Sequence, residues 1–146
     1  MKYRALVAVA LSAAALTGCS AKTEESKSGP QTTTIEVSYD DLLNQKQISR
    51  STDLAVGDFL QVSLGSNAST GFQWAEKLLI SDPKVMAQTG HEVIAPKDAK
   101  PGASGSEVWM LQAMAPGNTT VSTTYGRPWP GGEKDSWVFS VNVTVK

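Results

Sequence analysis

The 146-residue chain has one cysteine, Cys19, and one histidine, His91. A single cysteine excludes a disulfide within the chain, so the core alone must stabilise the domain. No Ser-His-Asp or Cys-His set can be assembled without His91, and a lone histidine is far more often a packing or surface residue than a ligand. No phosphate-binding loop is present. We therefore expect no enzyme activity, no metal site and no cofactor.

The chain also lacks an excess of charge of either sign. It has 13 basic and 14 acidic residues and a formal net charge of −1. The absence of a basic field argues against nucleic acid as a partner. The carboxylates are scattered, and the adjacent pair Asp40-Asp41 is more typical of a helix cap or turn than of a catalytic dyad.

The N-terminus, "MKYRALVAVALSAAALTGC", is typical of a secretory signal peptide. Lys2 and Arg4 precede an apolar run from Ala5 to Leu16 that is too short to span a bilayer as a mature helix. Its end, Leu-Thr-Gly-Cys, resembles the bacterial lipobox, in which the cysteine is lipidated and becomes the first mature residue. The alternative is an ordinary signal peptide with a chance cysteine.

We therefore expect a lipoprotein signal peptide over residues 1–18 and a lipid on Cys19. A polar tether, "SAKTEESKSGPQTT", follows, so that residues 19–33 join the lipid to a domain over residues 34–146. Without Lys2 and Arg4 the mature chain has 11 basic and 14 acidic residues, a formal charge of −3. The protein is expected on the periplasmic or extracellular face of a bacterial membrane.

From Thr34 onward apolar and polar residues alternate with a period of two, which indicates strands. The predicted strands are "TIEVSY", "DFLQVSL", "GFQWAEK", "EVWMLQAM", "TTVSTTY" and "SWVFSVNVTV", with a looser candidate from Val85 to Ile94. The stretch "DDLLNQKQIS" fits a helical turn or a short strand. Seven or so short strands separated by turns predict an all-β fold, an antiparallel sandwich.

Three long loops interrupt the strands. The first, "LGSNASTGFQW", has no charge; the second, Pro96 to Ser106, and the third, Gly126 to Asp135, combine proline and glycine. Alternate connections in a sandwich fall at the same end, so the three loops can form one edge, as antibody loops do.

Trp129 lies between two prolines, which fix φ and stiffen the third loop. Two interpretations remain open. The ring can stand out with Arg127 as a binding hot spot, or it can fold back and cover the core. Trp74, Trp109 and Trp137 lie within strand patterns and are predicted to be core residues.

Taken in order, the three loops resemble the chagasin family of inhibitors of papain-like cysteine proteases. That family is marked by an Asn-Pro-Thr-Thr-Gly loop before an aromatic residue and a Trp, a Gly-x-Gly-Gly loop before a Trp strand, and an Arg-Pro-Trp/Phe loop. The corresponding residues here are Asn67, Ala68, Ser69, Thr70 and Gly71; Gly102, Ala103, Ser104 and Gly105; and Arg127, Pro128 and Trp129. The resemblance spans about Thr34 to Lys146, and three weak motifs in order make it specific.

The resemblance implies an immunoglobulin-like antiparallel sandwich of about seven to eight strands, a monomer whose loop residues just named bind a papain-like (C1-type) protease. The first loop would approach the catalytic cysteine, with Ser69 and Thr70 where the family has Thr. The other two loops would grip the sides of the cleft, with Trp129 on an aromatic of the enzyme. Small uncharged residues suit a narrow cleft because no charge is stranded away from water.

Two residues depart from the family pattern. Ala68 replaces a proline, which predicts a less rigid first loop. Ser104 replaces a glycine and would strain the second loop by roughly 1–3 kcal/mol if that position needed a positive φ. The rival hypothesis is a non-inhibitory lipoprotein of the cell envelope that uses the same sandwich for binding or assembly.

Overall fold

The computed structural model of the chain describes residues 29–98, 100, 102–134 and 137–146. The predicted signal peptide, Cys19 and the tether up to residue 28 lie outside this part of the chain. The described part contains nine strands, one α-helix and a 3-10 turn at Ala68–Thr70. They are β1 (Thr32–Val37), α1 (Tyr39–Asn44), β2 (Gln47–Leu54), β3 (Phe59–Ser66), β4 (Gln73–Trp74), β5 (Leu79–Ile80), β6 (Met86–Ile94), β7 (Gly105–Ala113), β8 (Gly117–Gly126) and β9 (Trp137–Val145). None of the helices in these ranges is long and apolar enough to cross a membrane.

Two sheets form the predicted β-sandwich, which is confirmed. One has the order β1-β3-β7-β6 and the other β2-β9-β8-β4, with β5 also paired to β8. The sheets are mixed rather than purely antiparallel, because β1–β3 and β2–β9 pair in parallel. The physical reason is that the chain crosses to the second sheet for β2 between β1 and β3. It thus reverses direction twice before it returns.

The ambiguous stretch after Tyr39 forms both predicted alternatives, the short helix α1 and then β2. Ser38 caps the helix, since its hydroxyl accepts a hydrogen bond from the backbone N–H of Asp41 at 3.1 Å. Asp40 and Asp41 occupy the first turn, where the negative charge of an acidic side chain interacts favourably with the helix dipole. The pair therefore lies in a helical turn, which agrees with the predicted cap or turn feature.

The core lies between the two sheets. It is formed by the side chains at alternate positions along the strands that face the opposite sheet. Trp74 and Trp109 are buried as predicted, and Trp137 packs against the core while remaining partly exposed. The ring of His91 lies 5.2 Å from that of Trp109, so the lone histidine is a packing residue, as its isolation predicted.

Strand direction places the three long loops together. β3 ends where β7 begins, since Ser66 pairs with Gly105, and β8 ends at the same level. We call this the loop end of the sandwich; it carries the first loop (residues 67–72), the second loop (95–104) and the third loop (127–134). The opposite, terminal end carries the turns at 55–58 and 114–116 and the last residue, Lys146.

Candidate functional site

Side-chain hydrogen bonds join the three loops into one surface. The Asn67 side-chain amide donates to the carbonyl of Gly102 at 3.2 Å, which links the first and second loops. The Nε of Arg127 donates to the carbonyl of Thr70 at 3.3 Å, which links the first and third loops. The predicted shared edge therefore exists, and the first loop lies between the other two.

The first loop is a single 3-10 turn fixed by its own polar groups. Asn67 Oδ1 accepts from the backbone N–H of Ser69 at 3.1 Å and from its hydroxyl at 2.5 Å. The Thr70 hydroxyl donates to the Asn67 carbonyl at 2.7 Å. Gly71, with φ of 78°, ends the turn and donates its N–H to Ala68 at 3.1 Å. The turn is thus closed by hydrogen bonds that need no proline at position 68.

Two buried aromatic residues, Tyr125 and Trp74, support this turn on the side facing the core. The backbone N–H of Asn67 donates to the hydroxyl of Tyr125 at 3.0 Å in a buried position. The Tyr125 ring in turn stacks on Trp74, with ring centroids 4.8 Å apart. Burial of the Tyr125 hydroxyl raises its pKa, since the phenolate would be poorly solvated there. The base of the first loop is therefore continuous with the core.

Arg127 lies between the first and third loops rather than pointing into solvent. Its guanidinium carbon is 4.6 Å from the centroid of the Phe72 ring and 5.9 Å from that of Trp129. Such cation–π contacts contribute on the order of 0.5–1 kcal/mol each at partly exposed sites. Arg127 uses its charge and one N–H internally, so it positions the loops.

The Trp129 ring stands at the surface, which decides between the two interpretations. Its side chain is 47% exposed, and one edge rests on Gly71, where an added Cβ would meet the ring at 2.3 Å. Phe72, in contrast, belongs to the buried core. Gly71 therefore serves two needs, a positive φ and space for the tryptophan.

Hydrogen bonds join the start of the third loop to its end. The Nζ of Lys134 donates to the carbonyl of Arg127 at 2.7 Å and to that of Trp129 at 2.9 Å. The backbone N–H of Arg127 donates to the carbonyl of Glu133 at 2.6 Å. Sequence reasoning missed Lys134, because an isolated lysine after two glycines carries no signal of the carbonyls it meets in space.

The second loop is shaped by its glycines. Gly102 has φ of 82° and offers its carbonyl to Asn67, while an added Cβ at Gly105 would meet the Ile94 carbonyl at 2.2 Å. The loop therefore needs glycine at 102 for the turn and at 105 because the backbones of β6 and β7 approach each other closely there. Ser104 is exposed beside them.

The predicted loop residues differ in what they present to solvent. Asn67 is buried, whereas five others are partly buried and six are exposed. The partly buried ones are Thr70, Gly71, Ala103, Gly105 and Arg127, and the exposed ones are Ala68, Ser69, Gly102, Ser104, Pro128 and Trp129. Only the exposed and partly buried members are available to another protein.

A buried carboxylate supports the site from behind and was not predicted. Glu107 is 6% exposed, and its Oε2 accepts from the backbone N–H of Trp74 at 3.0 Å. Its Oε1 lies 3.1 Å from His91 Nε2. The pair bridges the open edge of the sandwich between β4 and β6. Its partners are brought together only by the fold, so alternation within one strand could not reveal it.

The family model of the chagasin family peptidase inhibitor I42 matches residues 53–143, which include all three loops. The chain belongs to the chagasin family of peptidase inhibitors. It is 37% identical over 90 residues to chagasin from Trypanosoma cruzi, a match covering 60% of this chain and 82% of that protein. The resemblance read from the three loop motifs is thereby confirmed.

Solved structures share the fold of this family member. The cysteine protease inhibitor EhICP2 from Entamoeba histolytica gives a TM-score of 0.61 at 17% identity, covering 81% of this chain and 100% of that one. PbICP-C, solved in complex with falcipain-2, gives 0.55 at 19% identity and covers 80% of this chain and 99% of its own. At these identities the likeness concerns the fold.

Proposed function

We propose that this chain inhibits papain-like cysteine proteases by placing its three loops in and beside the active-site cleft. The observation that carries the proposal is the joined loop end, where an uncharged turn lies between two loops hydrogen-bonded to it. Membership of a family of peptidase inhibitors supports it. So does the complex of a fold relative with falcipain-2.

The first loop would enter the cleft. Ala68 and Ser69 are exposed at its tip, while the polar side chains of Asn67 and Thr70 are already hydrogen-bonded, within the first loop and, for Asn67, also to Gly102 of the second. Entry into a dry cleft would then leave few polar groups unpaired. The 3-10 turn also differs from the extended backbone that a protease aligns for cleavage, so the inhibitor should remain uncut.

The third loop would supply the main apolar contact. Trp129 is large, half-exposed and held on a stiff loop, which is typical of a binding hot spot. Arg127 and Lys134 hold that loop before binding, so little conformational entropy is lost when the complex forms. We expect a standard interface, on the order of 800 Å² from each partner.

We further propose that residues 1–18 are a signal peptide and that Cys19 carries a lipid that holds the exported domain on a bacterial membrane. The basic start, the short apolar run and the lipobox-like end support this proposal. Mass spectrometry of the membrane-extracted protein should find an acylated N-terminal Cys19. Recovery of a Cys19→Ala variant in the membrane fraction would count against the anchor.

The direct test is a titration of papain, or of a cathepsin-L-like enzyme, with purified Ser20–Lys146. The proposal predicts stoichiometric loss of activity, with the inhibitor intact by mass spectrometry afterwards. A folded sample that fails to inhibit at micromolar concentration would overturn it. That outcome would favour the rival function, binding or assembly in the cell envelope without inhibition.

A further inference from the structure

We propose that the anchored protein turns its terminal end toward the bilayer and holds its loop end away from it. The inference rests on lipidation of Cys19, proposed above, and not on protease inhibition. It assigns a partner to each end of the sandwich, the lipid surface to one and a protein arriving from the aqueous phase to the other.

The register of β1 carries this inference. Thr32 pairs with Phe59 and Val37 with Leu64, so β1 starts at the terminal end and runs toward the loops. The residue before it, Gln31, donates its backbone N–H to Asp58 Oδ1 at 3.0 Å and accepts from the N–H of Phe59 at 2.8 Å. The chain that comes from Cys19 therefore joins the domain at the end opposite the loops.

Chain length limits how far the domain can stand from the lipid. The stretch from Ser20 to Gln31 reaches about 40 Å at most, at roughly 3.3–3.6 Å per residue. β3 then runs from Phe59 to Ser66, which adds about 24 Å toward the first loop. The loops are thus the farthest part of the domain from the point of attachment.

Lys146 also lies at the terminal end. The backbone N–H of Lys146 donates to Leu54 at 2.9 Å, and its carbonyl accepts from Val56 at 3.4 Å, both at the terminal end. Lys46, in contrast, lies at the loop end, because its carbonyl accepts from the N–H of Val138 at 2.8 Å where β9 begins. Lys46 and Lys146 are both exposed, so they form a matched pair of attachment points at opposite ends.

Energy transfer can test the orientation without any protease. In the lipidated protein the Cys19 thiol is consumed, so Lys46→Cys or Lys146→Cys supplies the only free thiol for a donor dye. Each labelled protein is reconstituted in phosphatidylcholine vesicles that contain an acceptor-labelled lipid. We expect stronger transfer from position 146 than from position 46. Equal transfer, or stronger transfer from position 46, would overturn the proposal, as would failure of the protein to remain on the vesicles.

A second experiment links orientation to access. Mature chains carrying Cys19→Ser are coupled to a maleimide lipid through Lys146→Cys or Lys46→Cys, and papain inhibition on vesicles is compared with inhibition in solution. Coupling at 146 should leave inhibition unchanged, whereas coupling at 46 should slow association at least about ten-fold because the loops face the lipid. Equal inhibition from both points would contradict the inference. Loss of inhibition already in solution would instead contradict the proposed function, and the energy-transfer result would still decide the orientation.

Discussion

The two ends of the sandwich are fastened by different parts of the chain. At the terminal end most of the ties are between backbones: Gly57 donates to Ala113 at 2.8 Å, Ala113 to Asp58 at 2.8 Å, and Met114 to Val85 at 2.8 Å. The Asp58 carboxylate adds a side-chain acceptor for the N–H groups of Gln31 and Ala55. At the loop end they come from side chains, those of Asn67, Arg127 and Lys134. Backbone ties tolerate most substitutions, while side-chain ties depend on particular residues.

This difference separates two kinds of residue at the loop end. Holding residues, namely Asn67, Arg127 and Lys134, use their polar side-chain groups in hydrogen bonds within the protein and so fix the shape of the loops. Presenting residues, namely Ala68, Ser69 and Trp129, are exposed to solvent at the surface of the loops. A substitution should therefore change binding alone at a presenting residue, binding and stability together at a buried holding residue, and stability alone at the terminal end.

The largest expected effect on binding follows from removing a presenting residue. Trp129→Ala should weaken inhibition by at least ~2 kcal/mol, since a half-exposed aromatic on a preorganised loop is lost. The melting temperature should hardly change, because the ring lies outside the core. Leu79→Ala is the matched control, an apolar residue 70% exposed on β5, and should alter neither quantity. A large drop in melting temperature with intact inhibition would mean that Trp129 belongs to the core after all.

Removing a buried holding residue should reduce both quantities. Asn67→Ala deletes the hydrogen bond from the Asn67 side-chain amide to the Gly102 carbonyl and the acceptor for the N–H of Ser69. This loss should lower the unfolding free energy by about 1–3 kcal/mol and also weaken inhibition. Chemical denaturation and papain titration measure the two effects.

The counterpart at the terminal end is Asp58→Ala, which removes the side-chain acceptor for Gln31 and Ala55. This variant should lose stability but inhibit normally while folded. Impaired inhibition by the folded variant would break the division between the ends.

A smaller effect is expected when the charge of a holding residue is kept and its planar group removed. Arg127→Lys loses the fixed Nε–H donor to Thr70 and the guanidinium contact over the Phe72 ring, so inhibition should weaken by about 1 kcal/mol. Inhibition constants at low and high salt would check this reason. If Arg127 instead formed an exposed ion pair with the protease, the effect would fall steeply with salt.

The smallest effects concern pH and differ in sign between the ends. At the loop end, burial raises the pKa of Tyr125 above its ordinary value of 10.0. The unfolded chain then loses its proton first as the pH rises, so stability present below about pH 10 is lost above it. At the terminal end, hydrogen bonds from the N–H groups of Gln31 and then Ala55 lower the pKa of Asp58 below 3.8. Its contribution is present above that pH and is lost as the pH falls through the folded pKa.

Thermal melts across pH can separate these contributions. Tyr125→Phe should flatten the decline in melting temperature above about pH 10, and Asp58→Asn should flatten the decline in acid. The same slopes in variant and parent chains would show that these two groups do not carry the effect.

Local patterning was sufficient for much of the fold. Alternation of apolar residues identified the strands and the buried Trp74 and Trp109, because a strand must turn one face to the core. It could not reveal the parallel pairs, which depend on how the chain crosses between sheets. The same limit applies to "DDLLNQKQIS", which satisfied a helix and a strand and forms both in turn.

The sequence indicated which residues form the candidate site, but it did not indicate which of them are exposed and which hold the loops in place. The three motifs marked the loops, and strand order placed them at one end. The outward Trp129 ring rests on Gly71, which leaves room for it, and only the folded chain brings these two residues together. The internal hydrogen bond of Arg127 likewise joins it to Thr70, a residue distant in the chain. The bond from Lys134 to Trp129 is local and depends on how the third loop folds back on itself.

Amide hydrogen exchange of Ser20–Lys146, free and in a stoichiometric complex with papain, would show which end of the sandwich the protease covers. We expect papain to slow exchange in residues 67–72 and 127–134 and to leave exchange in the turns at 55–58 and 114–116 unchanged. Slower exchange at the terminal end, or unchanged exchange in the loops of a chain that inhibits, would contradict this expectation.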